Sequence, residues 1–268
     1  MSEDAVLSIV ILTEDDGMDG RATVEALARR MLHLVVPGLG SHRVRFVPRE
    51  AREEEAMRGS SWKDRGRNPE GRTPEARERR VRLLRYIARR LSQPETFVLF
   101  HIDGDRTWDL RHTSENTAEF DRIVRVALPQ VADRGRAHGP RAKARAQPAA
   151  PSPPPMHLDR LLLLCPFRSI EAWLYQNLRA AIDICRREHR GVHVSALQAW
   201  EKQREQLDEL PAPEKAVCLK KEFNLELAMS SFPAREAYEV KKSFAESVDR
   251  LLGCDALTRA LERTRVVP

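Results

Sequence analysis

No apolar run in this sequence approaches the roughly 20 residues that a membrane-spanning helix needs. The longest lie around Ala5 to Leu12 and Leu161 to Cys165. Aromatic residues are scarce, and the four cysteines (Cys165, Cys185, Cys218 and Cys254) include no C-x-x-C pair. That spacing excludes the common zinc and dithiol motifs and leaves buried free thiols as the reading. Charge of one sign is also lacking, since 46 Lys and Arg stand against 40 Asp and Glu, a net +6. The start, Met1-Ser2-Glu3-Asp4, is acidic where a secretory leader would be basic, so a cytoplasmic protein is expected. With 41% hydrophobic and 32% charged residues, the chain is composed like a folded, helix-rich protein. Its 268 residues suffice for one large α/β domain or two small ones.

What is present is an alternation of short apolar runs and helical patterns. Ala5 to Thr13 suits a strand buried on both faces, and Val24, Leu27, Ala28, Met31 and Leu32 then recur at helical spacing. Pro37-Gly38-Leu39-Gly40 ends that helix, and His42 to Val47 reads as a second strand. This is a β-α-β unit, which implies parallel strands. Arg49 to Thr73 is polar and glycine-containing, and reads as a surface loop or arm. Pro74 opens a helix whose buried stripe is Val81, Leu84, Ile87, Ala88 and Leu91. Thr96 to Ile102 is a third strand, and a helix is expected from about Glu115 to Ala132. Arg134 to Pro155 is basic, then proline-rich, and reads as a linker over about 134–156. Leu158 to Cys165 resumes the strand pattern, and Ser169 is placed to cap a helix through Ile170, Trp173 and Leu178. The rest, 191–268, has helical periodicity. One helix is expected over Pro233 to Leu252, with Ala237, Val240, Phe244, Val248, Leu251 and Leu252 on one face.

Two of these strands end in acid: Glu14 after the first, Asp103 and Asp105 after the third. In a parallel sheet the carboxyl ends of all strands share one edge, where ligands of open α/β folds bind. Carboxylates converging there repel unless a divalent cation neutralises them, and Mg²⁺ or Mn²⁺ suits such oxygen ligands. Asp15 and Asp16 either add ligands or cap the following helix, and Glu171 either orients a ligand or complements a helix dipole. His101 and Trp173 are read as packed side chains. From Arg43 to Arg90 there are 16 Lys or Arg against 8 acids, and Arg77, Arg80, Arg85 and Arg89 partly share a helix surface that would attract a phosphate backbone.

The pieces Ile9-Val10-Ile11-Leu12-Thr13-Glu14, Phe97-Val98-Leu99-Phe100-His101-Ile102-Asp103-Gly104-Asp105 and Cys165-Pro166-Phe167-Arg168-Ser169-Ile170-Glu171-Ala172-Trp173-Leu174 together resemble the TOPRIM domain. That domain occurs in topoisomerases, DnaG-type primases and OLD-family nucleases, and the third piece looks like OLD-related bacterial proteins. The resemblance spans roughly residues 5 to 178. It departs from the family where Asp15 and Asp16 precede Gly17, and in the long insertion between the two acidic motifs. It implies an α/β fold over 1–190, a TOPRIM-like and mostly parallel sheet flanked by helices, followed by a helical C-terminal region. It also implies a nuclease or nicking enzyme, plausible as a bacterial defence effector, in which Glu14, Asp103 and Asp105 hold Mg²⁺ or Mn²⁺ against a nucleic acid, DNA first. Lys63 or a neighbouring Arg would neutralise developing charge. OLD-type proteins often join TOPRIM to an ATPase, and no Walker A loop is recognisable here. The rival expectation is therefore a non-catalytic subunit that docks a separate ATPase or another partner; a homo-oligomer is the further partner considered.

Overall fold

The computed structural model describes residues 7–15, 19–40, 43–63, 73–131, 154–210, 212–217 and 219–264. Asp16, Cys218 and the 134–153 part of the expected linker lie outside the described residues. Four strands, β1 (Leu7–Thr13), β2 (Val44–Phe46), β3 (Thr96–His101) and β4 (Leu161–Leu164), form one sheet in the order β2-β1-β3-β4. Every pairing is parallel, and β1 meets β3 in a register that sets Thr13 beside His101. The expectation of a parallel α/β sheet flanked by helices is met. Alternation along the strands sends Ile9, Ile11, Phe97 and Leu99 to one face, and Val10, Leu12, Val98 and Phe100 to the other.

Both faces are covered, which is why the strands read as continuous apolar runs. On one face lies α1 (Gly20–Val35), with Val24, Leu27, Ala28, Met31 and Leu32 buried as their spacing predicts. The same cluster takes in Trp173, Leu227, Phe244, Val248, Leu251, Leu257 and Leu261, so one core runs from the sheet into the C-terminal helices. The other face is covered by α2 (Pro74–Leu91) and α3 (Glu115–Arg122), the latter continuing through a π-helical stretch, Ile123–Ala127. Thr73 caps α2 by accepting the Ala76 N–H, and Pro74 occupies its first turn. Among the described residues no helix is long and apolar enough to cross a membrane.

Four expectations are corrected. The polar stretch 49–73 is not a bare loop, because its described part includes a 3₁₀ segment, Glu55–Ser60, and buries Ala56, Met57 and Trp62 against the sheet. Val81 is exposed, and the α2 stripe is built from Ala76, Leu83, Leu84, Tyr86, Ile87 and Leu91. The helix expected after Ser169 is two: α4 (Glu171–Leu174), and α5 (Leu178–His189), whose first turn is capped by the Asn177 side chain accepting the Ala180 N–H. Next come α6 (Val194–Glu201), α7 (Pro213–Ala216) and α8 (Asn224–Met229). The segment 233–252 also divides, into α9 (Ala234–Glu239) and α10 (Ser243–Leu252), before the last helix α11 (Asp255–Arg263). The break falls at Lys241, at φ 59°; Leu252 is exposed and Val240 half-buried. Ala237, Phe244, Val248 and Leu251 keep the buried face.

Candidate functional site

Extending β1 and β3 by one step past their pairing delivers the two acidic motifs to one place. Glu14 N–H donates to the His101 carbonyl at 3.3 Å, and the Glu14 carboxylate turns back to accept the Asp103 N–H at 2.7 Å. Residues 89 apart in the chain thus meet through the parallel register. The loop after β3 is held by local chemistry. Gly104 N–H donates to the Pro166 carbonyl at 2.8 Å, and a Cβ on Gly104 would stand 2.7 Å from the Phe167 ring. Asp105 adopts φ 54°, a conformation Asp tolerates better than most residues. Its Oδ2 accepts from Asn116 Nδ2 at 2.7 Å, while the same nitrogen reaches the Asp103 carbonyl at 2.6 Å. Ser114 caps α3 by accepting the Thr117 N–H, and its hydroxyl donates to the Gly104 carbonyl at 2.7 Å.

Glu14, Asp103 and Asp105 line a cleft of about 310 Å³ together with Asp15, Met57, Lys63, His101, Ile170, Glu171 and Lys221. The structure therefore brings together Glu14, Asp15, Asp103, Asp105, Glu171 and Lys63 of the residues expected from sequence. Lys63 Nζ lies 3.8 Å from Glu14 Oε2, which also accepts from the Trp62 indole N–H at 3.4 Å. Glu171 is buried, accepts from Asn224 Nδ2 at 3.1 Å and pairs with Lys221 at 3.3 Å. It also stands in the first turn of α4, where an acid complements the helix dipole. Asp15 packs against Gly20 at the start of α1, where a Cβ would come 2.5 Å from Asp15 Cγ.

The basic residues expected on α2 divide. Arg77 and Arg85 are exposed, whereas Arg80 turns inward to Glu119 at 3.2 Å and to the Trp62 carbonyl at 3.0 Å. Arg89 is exposed and pairs with Glu50 at 2.7 Å. Trp173 is core, its indole N–H donating to Ser243 Oγ at 2.6 Å. Lys221 escaped sequence reasoning because nothing in a Lys 50 positions beyond Glu171 marks it; only tertiary packing brings the C-terminal region to the sheet edge.

The electrostatics of the cleft are those of crowded acids. Burial pushes the Asp103 carboxyl well above its usual range, and Glu14, Glu171, Asp105 and Asp15 add like-charge repulsion. Glu14 is raised for the same first reason, partly offset by Lys63. For Glu171 burial is outweighed by hydrogen bonding and Lys221, which hold it below the usual range. Burial pushes His101 down to about 3, so its imidazole is neutral at physiological pH.

Asp103 Oδ1 is buried and has no hydrogen-bond partner among the described residues. An orphaned carboxylate oxygen beside other acids fits a hard cation in kind. Among the described residues, no group of three or more His, Cys, Asp or Glu side chains is placed to hold a metal ion. Compared with known proteins, the chain matches no protein-family model, no curated protein and no solved structure.

Proposed function

We propose that this protein is a divalent-cation-dependent nuclease or nicking enzyme acting on nucleic-acid phosphodiesters, DNA first. The observation that carries this reading is the meeting of Glu14 and Asp103 in one cleft with Asp105, Glu171 and two lysines, around an unpartnered Asp103 oxygen. Glu14, Asp103 and Asp105 are the residues to hold Mg²⁺ or Mn²⁺; Asp15 borders them, and Glu171 stands behind. When bound, such a cation supplies polarisation of a phosphate oxygen and activation of water. Lys63 and Lys221 place ammonium groups at the cleft, where each offers a phosphate oxygen a point charge. Exposed Arg77 and Arg85 add a sequence-independent attraction to the backbone, which weakens as salt rises.

A second reading, a non-catalytic subunit that docks an ATPase or other partner, has its own support. Lys63 already gives Glu14 a counter-charge from within the chain. Cleavage of plasmid and oligonucleotide DNA and RNA with Mg²⁺ or Mn²⁺ separates the two. Wild type should nick or cut, and Asp103→Asn with Asp105→Asn should lower the rate by at least about a hundredfold. Equal rates for both proteins would end the nuclease reading. Absence of any cation binding by calorimetry, together with tight binding to a partner ATPase, would establish the second.

A further inference from the structure

Past Asp105 the chain forms a 3₁₀ segment, Trp108–Thr113, that contributes no buried residue to the core. Its side chains gather around Trp108. The half-buried indole packs edge-on against Phe167, with ring centroids 5.6 Å apart, and this is the ring that a Cβ on Gly104 would meet. Over the indole stands the Arg111 guanidinium, 4.2 Å from the ring centroid. Its Nη1 donates to the Trp108 carbonyl at 3.0 Å, and its Nε lies 3.9 Å from Glu246 Oε2 on α10. These contacts fix the guanidinium while 43% of the Arg111 side chain stays exposed. Lys242 Nζ is a second cation 5.6 Å from the same indole, but its side chain is only 21% exposed, so Arg111 is the open member of the stack. Arg111 also lines a groove of about 720 Å³ with Arg250, Phe120, Leu161, Leu163 and Phe167. Among the Arg, Asp and Glu of that groove the charges cancel, Arg111 and Arg250 against Asp121 and Glu246. Net attraction for a phosphate is therefore small there, and what the groove offers is a planar cation beside apolar side chains.

We propose that Arg111, held over Trp108, is a stacking platform for an unpaired base of the nucleic acid, and that the protein for this reason engages a single strand in preference to an intact duplex. The inference rests on the nucleic-acid reading above and deepens it by naming the form of the substrate; it does not depend on a bound cation. A guanidinium plane and an aromatic ring are both surfaces on which bases stack, and every base has a face to offer, so the contact is sequence-tolerant. A base inside a duplex has both faces covered by its neighbours, which leaves only an unpaired one for the platform. The position suits this role. Trp108 is three residues beyond Asp105, so their Cα atoms are at most about 11 Å apart, and a strand with a phosphate at the cleft brings a neighbouring base within reach of Arg111.

The test uses the full chain in chelator, so that nothing is cut, with labelled DNA and RNA strands read by fluorescence anisotropy. Each strand is compared with one of equal length and charge that carries abasic sites, and with a blunt duplex. Wild type should bind the intact strand about tenfold tighter than the abasic one, and tighter than the duplex. Arg111→Lys keeps the charge and loses the planar surface. It should bind the intact strand about tenfold more weakly, at the level wild type shows for the abasic strand, with the slope of log affinity against log salt unchanged. If wild type binds intact and abasic strands alike, or prefers the duplex, or if Arg111→Lys keeps the full discrimination, the platform assignment falls and the nucleic-acid reading stands. If wild type binds no strand and no duplex, both fall. Should Arg111→Lys fail to fold, the comparison of intact and abasic strands on wild type alone decides.

Discussion

Gly104 separates Asp103 from Asp105, and its missing side chain is what allows the buried Phe167 ring to lie against the loop. Gly104→Ala should cost about 1–3 kcal/mol, because a Cβ there would stand 2.7 Å from the ring and force the ring or the loop to shift. A urea titration checks this; an unchanged midpoint would mean that the ring shifts at no cost. Asp208 offers a second test, away from the cleft. It accepts from Ser243 Oγ, which in turn accepts the Trp173 indole N–H. Burial pushes its carboxyl up to about 6, with Ser243 and Lys242 opposing. The unfolded chain releases this proton near pH 4 or so. Between about pH 4 and 6 the folded state therefore holds more protons, and stability falls as pH rises through that window, by an amount of order 3 kcal/mol. Asp208→Asn keeps the acceptor and should flatten the slope of unfolding free energy between pH 4 and 6. A slope identical to wild type would refute the assignment. Neither Asp208 nor Lys221 was legible from sequence, since each owes its role to neighbours far away in the chain.

The strands and α1 were legible as elements for a definite reason. Strands covered on both faces leave uninterrupted apolar runs, and α1 carries a full helical stripe. The same logic fails for the Glu55–Ser60 segment, because a six-residue 3₁₀ turn has no period to detect and the anchoring Trp62 sits among polar neighbours. It fails again over 233–252, where the buried face persists across a helix break that periodicity does not register. Caps are a more local device and can be tested singly. Ser114→Ala removes the cap of α3 and the donor to the Gly104 carbonyl, so a loss of about 1–2 kcal/mol is expected by thermal or urea unfolding. Phe244, on α10, packs edge-on to Trp173 with centroids 5.7 Å apart and tilts against Phe232. Phe244→Ala should cost about 3–5 kcal/mol, and a loss below about 1 kcal/mol would show that α10 is not part of the main core.

Across the whole molecule, the acidic edge was readable and one of its walls was not. Glu14, Asp103 and Asp105 follow from the strand pattern and Lys63 and Glu171 were candidates from sequence, whereas Lys221 reaches the cleft only because the C-terminal region, with its helices, shares the core of the sheet. The sequence pattern left open whether those helices complete the core or form an interface. Leu219, Leu227, Phe232, Val248, Leu257 and Leu261 are buried in the same cluster as β1 and α1, which favours the first. A chain ending at Leu210 should accordingly lose cooperative unfolding, as followed by circular dichroism on heating. A sharp transition retained by that fragment would contradict a shared core.

The all-parallel sheet also bears on how the chain reaches this state. No two neighbouring strands are joined by a tight turn, and β1 must find His101 and its strand 88 residues later. Every pairing closes a long loop before any ladder contact repays it, so assembly depends on distant segments meeting. Refolding after rapid dilution from denaturant should therefore be slow for a helix-rich protein, in the range of milliseconds to seconds or longer. On the ribosome, β1, β2 and α1 would wait, half covered, until β3 and the last helices had emerged.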